Sequence, residues 1–264
     1  MSHMLFEMNI SISSIYFSPV KSISFQKINK CEIKKNIGIF NDRLFAFSRL
    51  LDSGKAQKME QEPNQRKLIN FLTLKNTPIL NKYSFEYNEG SLELFDDQKK
   101  LISINPDNSQ EVSLIEQEVL NLEDQVKGPV FLLQNNKNPF FDTNSGGELM
   151  NSISLINHNS IKDFEKNMGK EVEYQRFRGN FYVSGLDAWD ERNWIGKTIN
   201  INGVPFKVDD HISRCSATNL KPKSGEITFN LPQKLKEFYD HMDLGVYLIP
   251  LEDGEVSIED KIII

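Results

Sequence analysis

One cysteine of the sequence stands in a setting that favours chemistry. Cys215 follows Arg214 directly, and a neighbouring positive charge favours the reactive thiolate form of a thiol. A thiolate is also a ligand for soft metals, so this position is a candidate for nucleophilic or metal chemistry. The other cysteine, Cys31, is interpreted as a small buried hydrophobic residue, the usual state of a lone cysteine.

Four basic residues in separate parts of the chain extend this candidate site, each beside a turn or the end of a predicted strand. They are Lys21, Arg43, Arg178 and Arg214. If they converge, they form an anion pocket, because guanidinium groups bind phosphate and carboxylate through paired hydrogen bonds. Ser22 and Ser213 would add neutral donors. A thiolate inside such a pocket suggests a soft metal held by a phosphate-bearing cofactor.

Length and composition exclude several classes of protein. The chain has 264 residues, enough for one or two domains, and 37 acidic against 31 basic residues give a net charge of −6. That charge disfavours a nucleic-acid binder, and two cysteines exclude a disulfide scaffold or a zinc site with three or four thiolates. Neither a membrane span nor a signal peptide is expected, so the predicted compartment is the cytoplasm. Residues 1–4 look like a cloning remnant before a native start at Met4.

The elements that must position these residues are mainly short strands. Residues 9–17 alternate polar and apolar side chains, as a half-buried strand does. Two alternating arms between Ser84 and Phe95 predict one hairpin, and Asn202-Gly203 predicts another. Residues 134–151, rich in Asn, Pro and Gly, are expected to form a long functional loop.

Three helices are predicted among these strands. They cover residues 112–124 with Ser113 as N-cap, residues 160–168 with Ser160 as N-cap, and residues 232–241. Residues 65–74 are either a short helix or a loop leading into a strand. The pattern favours an α+β, mainly β class with barrel-like sheets. The domains are predicted as residues 4–120 and 121–264.

The ordered motifs of the chain resemble those of the MOSC family, named for the C-terminal domain of molybdenum-cofactor sulfurases. The set comprises Pro19-x-Lys21-Ser22, Gly38-x-x-x-Asp42-Arg43, Ser154-Leu155-Ile156, Phe177-Arg178-x-Asn180, Trp189-x-Glu191-x-x-Trp194-x-Gly196, Arg214-Cys215-x-x-Thr218 and Pro222-x-x-Gly225. The resemblance covers nearly the whole chain. It implies a C-terminal MOSC β-barrel with a few short helices, preceded by the β-barrel domain found in the amidoxime-reducing branch of the family.

The resemblance also implies the site. Cys215 would ligate molybdenum directly, and the dithiolene of a molybdopterin would hold the same metal. The residues expected to bind this molybdenum cofactor are Lys21, Ser22, Arg43, Asn151, Ser152, Arg178, Asn180, Ser213 and Arg214. One departure from the family pattern is Phe-Arg-Gly-Asn in place of Phe-Arg-Pro-Asn. Because Gly179 lacks the fixed φ of proline, a looser loop around Arg178 is expected.

The chemistry that the resemblance implies is two-electron reduction of small N-hydroxylated compounds. Two cysteines are too few for an iron–sulfur cluster, which needs four. Electrons are therefore expected from an external electron-transfer protein or reductase. Two other hypotheses stay open: a non-catalytic carrier of the cofactor or of a sulfur on Cys215, and a metal-free thiol hydrolase or structural β protein. A hydrolase would need Cys215 paired with His158 or His211.

Overall fold

The computed structural model of the protein describes residues 9–23, 25–141 and 151–264, which form sixteen strands and four α-helices. The strands are β1 (Ser11–Phe17), β2 (Gln26–Ile28), β3 (Lys30–Lys34), β4 (Gly38–Ile39), β5 (Phe45–Arg49), β6 (Tyr83–Asn88), β7 (Ser91–Asp96), β8 (Lys99–Ile104), β9 (Val130–Gln134), β10 (Ile153–Asn157), β11 (Phe181–Ser184), β12 (Thr198–Ile201), β13 (Val204–Ser213), β14 (Asp243–Pro250), β15 (Gly254–Ser257) and β16 (Ile262–Ile263). The helices are α1 (Ser53–Gln61), α2 (Ser109–Asn121), α3 (His158–Met168) and α4 (Leu231–Tyr239). The predicted α+β, mainly β class is therefore confirmed.

The largest sheet combines strands from both ends of the chain. Its eight strands follow the order β16-β12-β13-β14-β10-β11-β1-β2. Strands β10 and β11 run parallel, and β1 pairs antiparallel with β11, so that the first strand completes a sheet of C-terminal strands. Three smaller sheets have the orders β15-β3-β4, β5-β9 and β6-β7-β8.

Barrel closure of the large sheet is not confirmed. Among the described strands, β16 and β2 are its two ends and do not pair with each other. Backbone hydrogen bonds nevertheless connect the start of β1 to the segment that runs into β16. Ile12 N donates to Asp260 O at 2.9 Å, and Ile262 N donates to Ile10 O at 2.9 Å. The two barrels therefore stay a prediction.

Four hydrophobic clusters are found among the described residues, and the two largest underlie the sheets. The first joins β1 residues such as Ile12 and Ile15 to C-terminal residues such as Phe181 and Phe206. The second lies under β5, β6, β7 and α2 and is built mainly from residues 20–130. Because the first core draws on both ends of the chain, folding brings the N-terminal motifs beside the C-terminal ones. The boundary between residues 120 and 121 stays a prediction.

The predicted hairpins are confirmed as β6–β7 and β12–β13, and three of the helices were expected from the sequence. The predicted N-caps differ from the observed ones: Asn108 caps α2 and Asn157 caps α3. Ser160 is the third residue of α3 rather than its cap, and its hydroxyl donates to the buried Glu191 carboxylate at 2.7 Å. None of the helices in the described part of the chain has the length and apolar character needed to cross a membrane.

Helix α1 was not expected, and it ends before the undecided region at residues 65–74 begins. The helix is short and polar, with Asp52 as N-cap and only Ala56 and Met59 buried among its residues. It therefore lacks the apolar repeat by which amphipathic helices are found in sequences. Residues 65–74 begin at the last residue of a 3-10 turn at Pro63–Gln65, contain a second one at Leu68–Asn70 and enter a further turn at Leu74. Residues 142–150 of the expected long loop and the proposed start at Met4 lie outside the described residues.

A glycine sets the distance between β14 and β10. Gly245 has φ +88°, and a Cβ at this position would lie 2.5 Å from the Leu155 carbonyl oxygen and 3.3 Å from Arg214 Nη2. Only glycine combines this backbone conformation with so close an approach. The position of Arg214 therefore depends on the missing side chain of Gly245.

We expect Gly245→Ala to lower the free energy of unfolding by about 3 kcal/mol or more, since backbone strain and overpacking add. The matched control is Gly196→Ala, where φ is +81° but no atom lies within 4 Å of the added Cβ. That variant carries only the conformational cost, about 1–2 kcal/mol. Urea denaturation measures both values. Equal losses in the two variants would show that the β14–β10 contact does not require glycine.

Candidate functional site

Cys215 lies at the end of β13, where the chain turns into a 3-10 turn at Ser216–Asn219. Its carbonyl oxygen accepts hydrogen bonds from Thr218 N at 3.1 Å and Thr218 Oγ1 at 2.8 Å, which fixes the backbone of the turn. The thiol is free and half-buried. It lines a cavity of about 210 Å³, and it is therefore held on a rigid turn but open to a ligand.

The cavity collects most of the predicted site residues. Seven of them line it: Lys21, Ser22, Arg43, Arg178, Ser213, Arg214 and Cys215. The four cationic side chains thus meet around one thiol, although they come from distant parts of the sequence. An adjoining cavity of about 390 Å³ shares Leu74, Arg178 and Ala217 with it. The space beside Cys215 therefore has the dimensions of a small-molecule site.

Two of the cations are anchored to backbone carbonyl groups. Arg214 donates from Nε to Leu244 O at 2.8 Å and from Nη1 to Phe177 O at 2.8 Å. Lys21 Nζ donates to Phe140 O at 3.1 Å and to Phe141 O at 2.7 Å. Burial lowers the pKa of Arg214, but a guanidinium stays charged at neutral pH. These two residues give the cavity wall a fixed positive charge.

Arg178 is held from two sides at the junction of the two cavities. Its Nη2 donates to Ser22 O at 2.9 Å, and its guanidinium lies 4.6 Å from the Phe25 ring centroid. Burial and the charge of Arg43 lower the pKa of Arg178 to about 10, so that it remains protonated at neutral pH. Arg178 and Ser22 both adopt positive φ, +52° and +65°. Strain of this kind is typical of binding sites.

The glycine that replaces proline after Arg178 has a packing role. A Cβ at Gly179 would lie 2.6 Å from Ile156 Cδ1. The Gly179 N–H donates to Tyr182 Oη at 3.1 Å, a bond that proline cannot make. The expected looser loop is therefore tied by a hydrogen bond and close packing.

Asn180 does not line the cavity but forms hydrogen bonds to residues next to it. Its side chain is 1% exposed. The Oδ1 atom accepts from Ser154 N at 3.1 Å and from Ser154 Oγ at 2.8 Å. The Nδ2 atom donates to Tyr16 O at 3.1 Å and to Asp42 Oδ2 at 3.0 Å. Both amide hydrogens are thus used within the protein, which favours a positioning role over the predicted cofactor contact.

The buried Asp42 carboxylate links Asn180 to Arg43. Asp42 is fully buried, accepts from Ser18 N at 2.7 Å and forms an ion pair with Arg43 Nη1. Burial raises the pKa of Asp42, and the charge of Arg43 acts against that rise. Removing either partner would leave a buried group without its counterpart. Arg43 therefore lines the cavity with its guanidinium held by a buried carboxylate.

The predicted contacts Asn151 and Ser152 also lie outside the lining of the cavity. Asn151 Nδ2 donates to the Asn36 carbonyl oxygen, and Ser152 is 4% exposed. The two residues immediately precede β10. Their contact with a cofactor therefore stays a prediction.

The structure adds cavity residues that sequence reasoning missed. Among them are Thr73, Lys75, Ser154 and Tyr247. Thr73 and Lys75 belong to the turn that follows the 3-10 turn at Leu68–Asn70. No sequence motif of a catalytic or metal site includes these two residues. They line the cavity only because the N-terminal half packs against β13.

A cysteine–histidine pair is not formed by the described residues, since no histidine lines the Cys215 cavity. His158 instead stacks on Tyr182, with ring centroids 5.2 Å apart. Among all described residues, no three His, Cys, Asp or Glu side chains lie close enough together to bind a metal ion. The arrangement offers one thiol surrounded by cations.

A sequence comparison identifies the family of this site. The model of the MOSC domain matches residues 142–263, which include Arg178 and Cys215. The chain is a member of the MOSC-domain family. The matched region supplies β10 to β16 with the thiol, and the N-terminal half supplies Lys21, Ser22 and Arg43.

Two curated relatives of this MOSC-domain protein are named as mitochondrial amidoxime-reducing components. Mitochondrial amidoxime reducing component 2 of Rattus norvegicus is 31% identical over 94 residues, 36% of this chain and 27% of that protein. Mitochondrial amidoxime-reducing component 1 of Homo sapiens is 23% identical over 120 residues, 41% of this chain and 35% of that protein. The chain thus spans about a third of the length of these relatives. The YUAD protein from Bacillus subtilis superposes with a TM-score of 0.44 at 12% identity, covering 96% of this chain and 94% of that one.

We expect Asn180→Ala to lower the free energy of unfolding by about 2–4 kcal/mol in the protein without ligand, because it breaks a buried polar network. The control is Ser213→Ala, an exposed residue of the same cavity, which should change stability by less than about 0.5 kcal/mol. Urea denaturation distinguishes them. Wild-type stability of Asn180→Ala would mean that Asn180 acts on the ligand and not on the fold.

Proposed function

We propose that this MOSC-domain protein is a molybdenum-cofactor-dependent oxidoreductase that reduces N-hydroxylated compounds. The observation that carries the proposal is the half-buried Cys215 thiol in a cavity lined by Lys21, Arg43, Arg178 and Arg214. Thiolates are suited to soft metals and guanidinium groups to phosphate. The names of the rat and human relatives support reduction of an N–O bond as the reaction.

The residues of the cavity fit a phosphate-bearing metal cofactor. The cations come from four separate segments, and the chain as a whole is acidic, with a net charge of −6. Concentrating buried positive charge in one place costs stability unless an anion neutralises it. Thr73, whose buried Oγ1 has no hydrogen-bond partner among the described residues, lines the same cavity. A ligand with anionic oxygens would satisfy both the charges and this hydroxyl.

A bound molybdenum cofactor would supply two-electron reduction of an N–OH group, which takes up two protons and yields an N–H group and water. In this proposal Cys215 ligates the metal from the rigid turn after β13. Arg43 and Arg178 bind the anionic part of the cofactor, and Arg214 and Lys21 add positive potential. Asn180 and Asp42 orient Arg43. The electrons come from an external electron-transfer protein, and the substrate is a small N-hydroxylated compound.

We expect Cys215→Ala to lose the metal. Wild-type protein purified from a host that makes the cofactor should contain about one molybdenum per chain, because a single thiolate ligates it. Cys31→Ala is the matched control, since Cys31 is buried in the core, away from the cavity, and burial raises its pKa to about 12. Metal analysis and pterin fluorescence provide the readout. A wild-type protein without molybdenum and pterin from such a host would refute the proposal.

We expect the metal-loaded protein to convert an amidoxime to the amidine when a chemically reduced dye supplies electrons. Cys215→Ala should show only the uncatalysed background, since the ligand for the redox metal is missing. Chromatographic measurement of the amidine gives the rate. A fully loaded wild type without turnover on amidoximes or hydroxylamines would favour the alternative function, a carrier of the cofactor.

A further inference from the structure

A threonine in the Cys215 cavity has a hydroxyl that the protein itself does not use. Thr73 is 2% exposed, and its Oγ1 has no hydrogen-bond partner among the described residues. A few other buried side-chain atoms of the described residues also lack a hydrogen-bond partner, but none of them belongs to a residue that lines this cavity. Such groups are rare in proteins, because an unpaired buried hydroxyl costs about 1–3 kcal/mol.

The backbone around Thr73 is fully engaged, so the hydroxyl is not part of a loose loop. Thr73 N donates to Asn76 Oδ1 at 3.1 Å. Its carbonyl oxygen accepts from Asn76 N at 3.1 Å and from Thr77 N at 2.8 Å. Asn76 Nδ2 also donates to Phe71 O at 2.8 Å, which closes the turn. The turn therefore fixes Thr73 against the cavity.

The surroundings of this hydroxyl indicate what it would bind. Thr73 follows Phe71 by two residues, and Lys21 Nζ lies 5.6 Å from the Phe71 ring centroid. Lys75, on the same turn, lines the cavity and is exposed. A hydroxyl beside positive charges donates well to an anionic oxygen, since such charge-assisted bonds are stronger than neutral ones.

We propose that Thr73 Oγ1 binds a phosphate oxygen of the ligand held in the Cys215 cavity. The inference deepens the proposed function, because it assigns to the N-terminal half a binding residue for the anionic part of the cofactor. Thr73 is one group of the phosphate site, and the cavity cations are the others. The hydroxyl gains its missing partner when the ligand binds.

A pair of threonines tests the proposal on protein from a host that cannot make the molybdenum cofactor. Thr73→Val removes a hydroxyl without a partner, whereas Thr77→Val removes one that donates to Asn76 Oδ1 at 3.0 Å. Both residues are buried. Inorganic phosphate is the probe, with affinity measured by calorimetry and stability by thermal denaturation.

We expect Thr73→Val to weaken phosphate binding about tenfold and to leave the melting temperature of the free protein unchanged or slightly higher. Thr73→Ser should bind within about twofold of wild type, because the hydroxyl is kept. Thr77→Val should bind normally but melt about 2–4 °C lower. Wild-type phosphate affinity in Thr73→Val, or no phosphate binding by the wild type, would overturn the proposal.

The source of the phosphate is decided with protein loaded in a cofactor-producing host. Faster loss of pterin and molybdenum from Thr73→Val than from Thr77→Val during dialysis identifies the cofactor as the source. Equal retention together with weakened phosphate binding identifies a separate phosphate-bearing ligand. If the wild type carries no molybdenum, the proposed function fails, but the phosphate measurement still tests Thr73 alone.

Discussion

The buried contact between Asp42 and Asn180 is the constraint on which the candidate site depends. Asp42 follows β4, and Asn180 precedes β11 in the large sheet. Burial of a carboxylate is unfavourable unless it is compensated, and here a backbone N–H, an amide and Arg43 share that task. The compensation is complete only when the two halves of the chain are docked. The same bonds that stabilise the docking therefore hold Arg43 at the cavity that Cys215 also lines.

The cations of the cavity are held in place mainly through backbone carbonyl groups of the described residues. Arg214 and Lys21 donate to backbone carbonyl groups, which orient a cation without cancelling its charge. Arg43, in contrast to Arg214, is held by a carboxylate, since Asp42 pairs with it. Burial lowers the pKa of Arg178 and Arg214, a sign that these groups are held in an unfavourable environment. An acidic surface and a cationic interior thus coexist because the fold separates them.

Sequence reasoning found the parts of this site that short motifs encode. The thiol after Arg214, the cations beside turns and the Asn-Gly hairpin each have a local signature, and the structure brings seven predicted residues to one cavity. Thr73 and Lys75 could not be found in this way, because no short motif contains them. Their place in the cavity, and the lack of a partner for the Thr73 hydroxyl, depend on the packing of distant segments. Asn180 was identified as important, but its type alone could not reveal that its amide faces Asp42 rather than the cavity. Helix α1 was missed because its polar composition lacks a periodic apolar face.

The pairing of β1 with β11 has a consequence for how the protein is made. Strand β1 leaves the ribosome early, yet its partners in the large sheet are all C-terminal apart from β2. Contacts of such large sequence separation form late and make folding slow. Lys21, Ser22 and Arg43 must wait for the same partners before they surround Cys215. The cavity is thus complete only after these C-terminal strands have been synthesised, and the exposed edge of β1 needs protection until then.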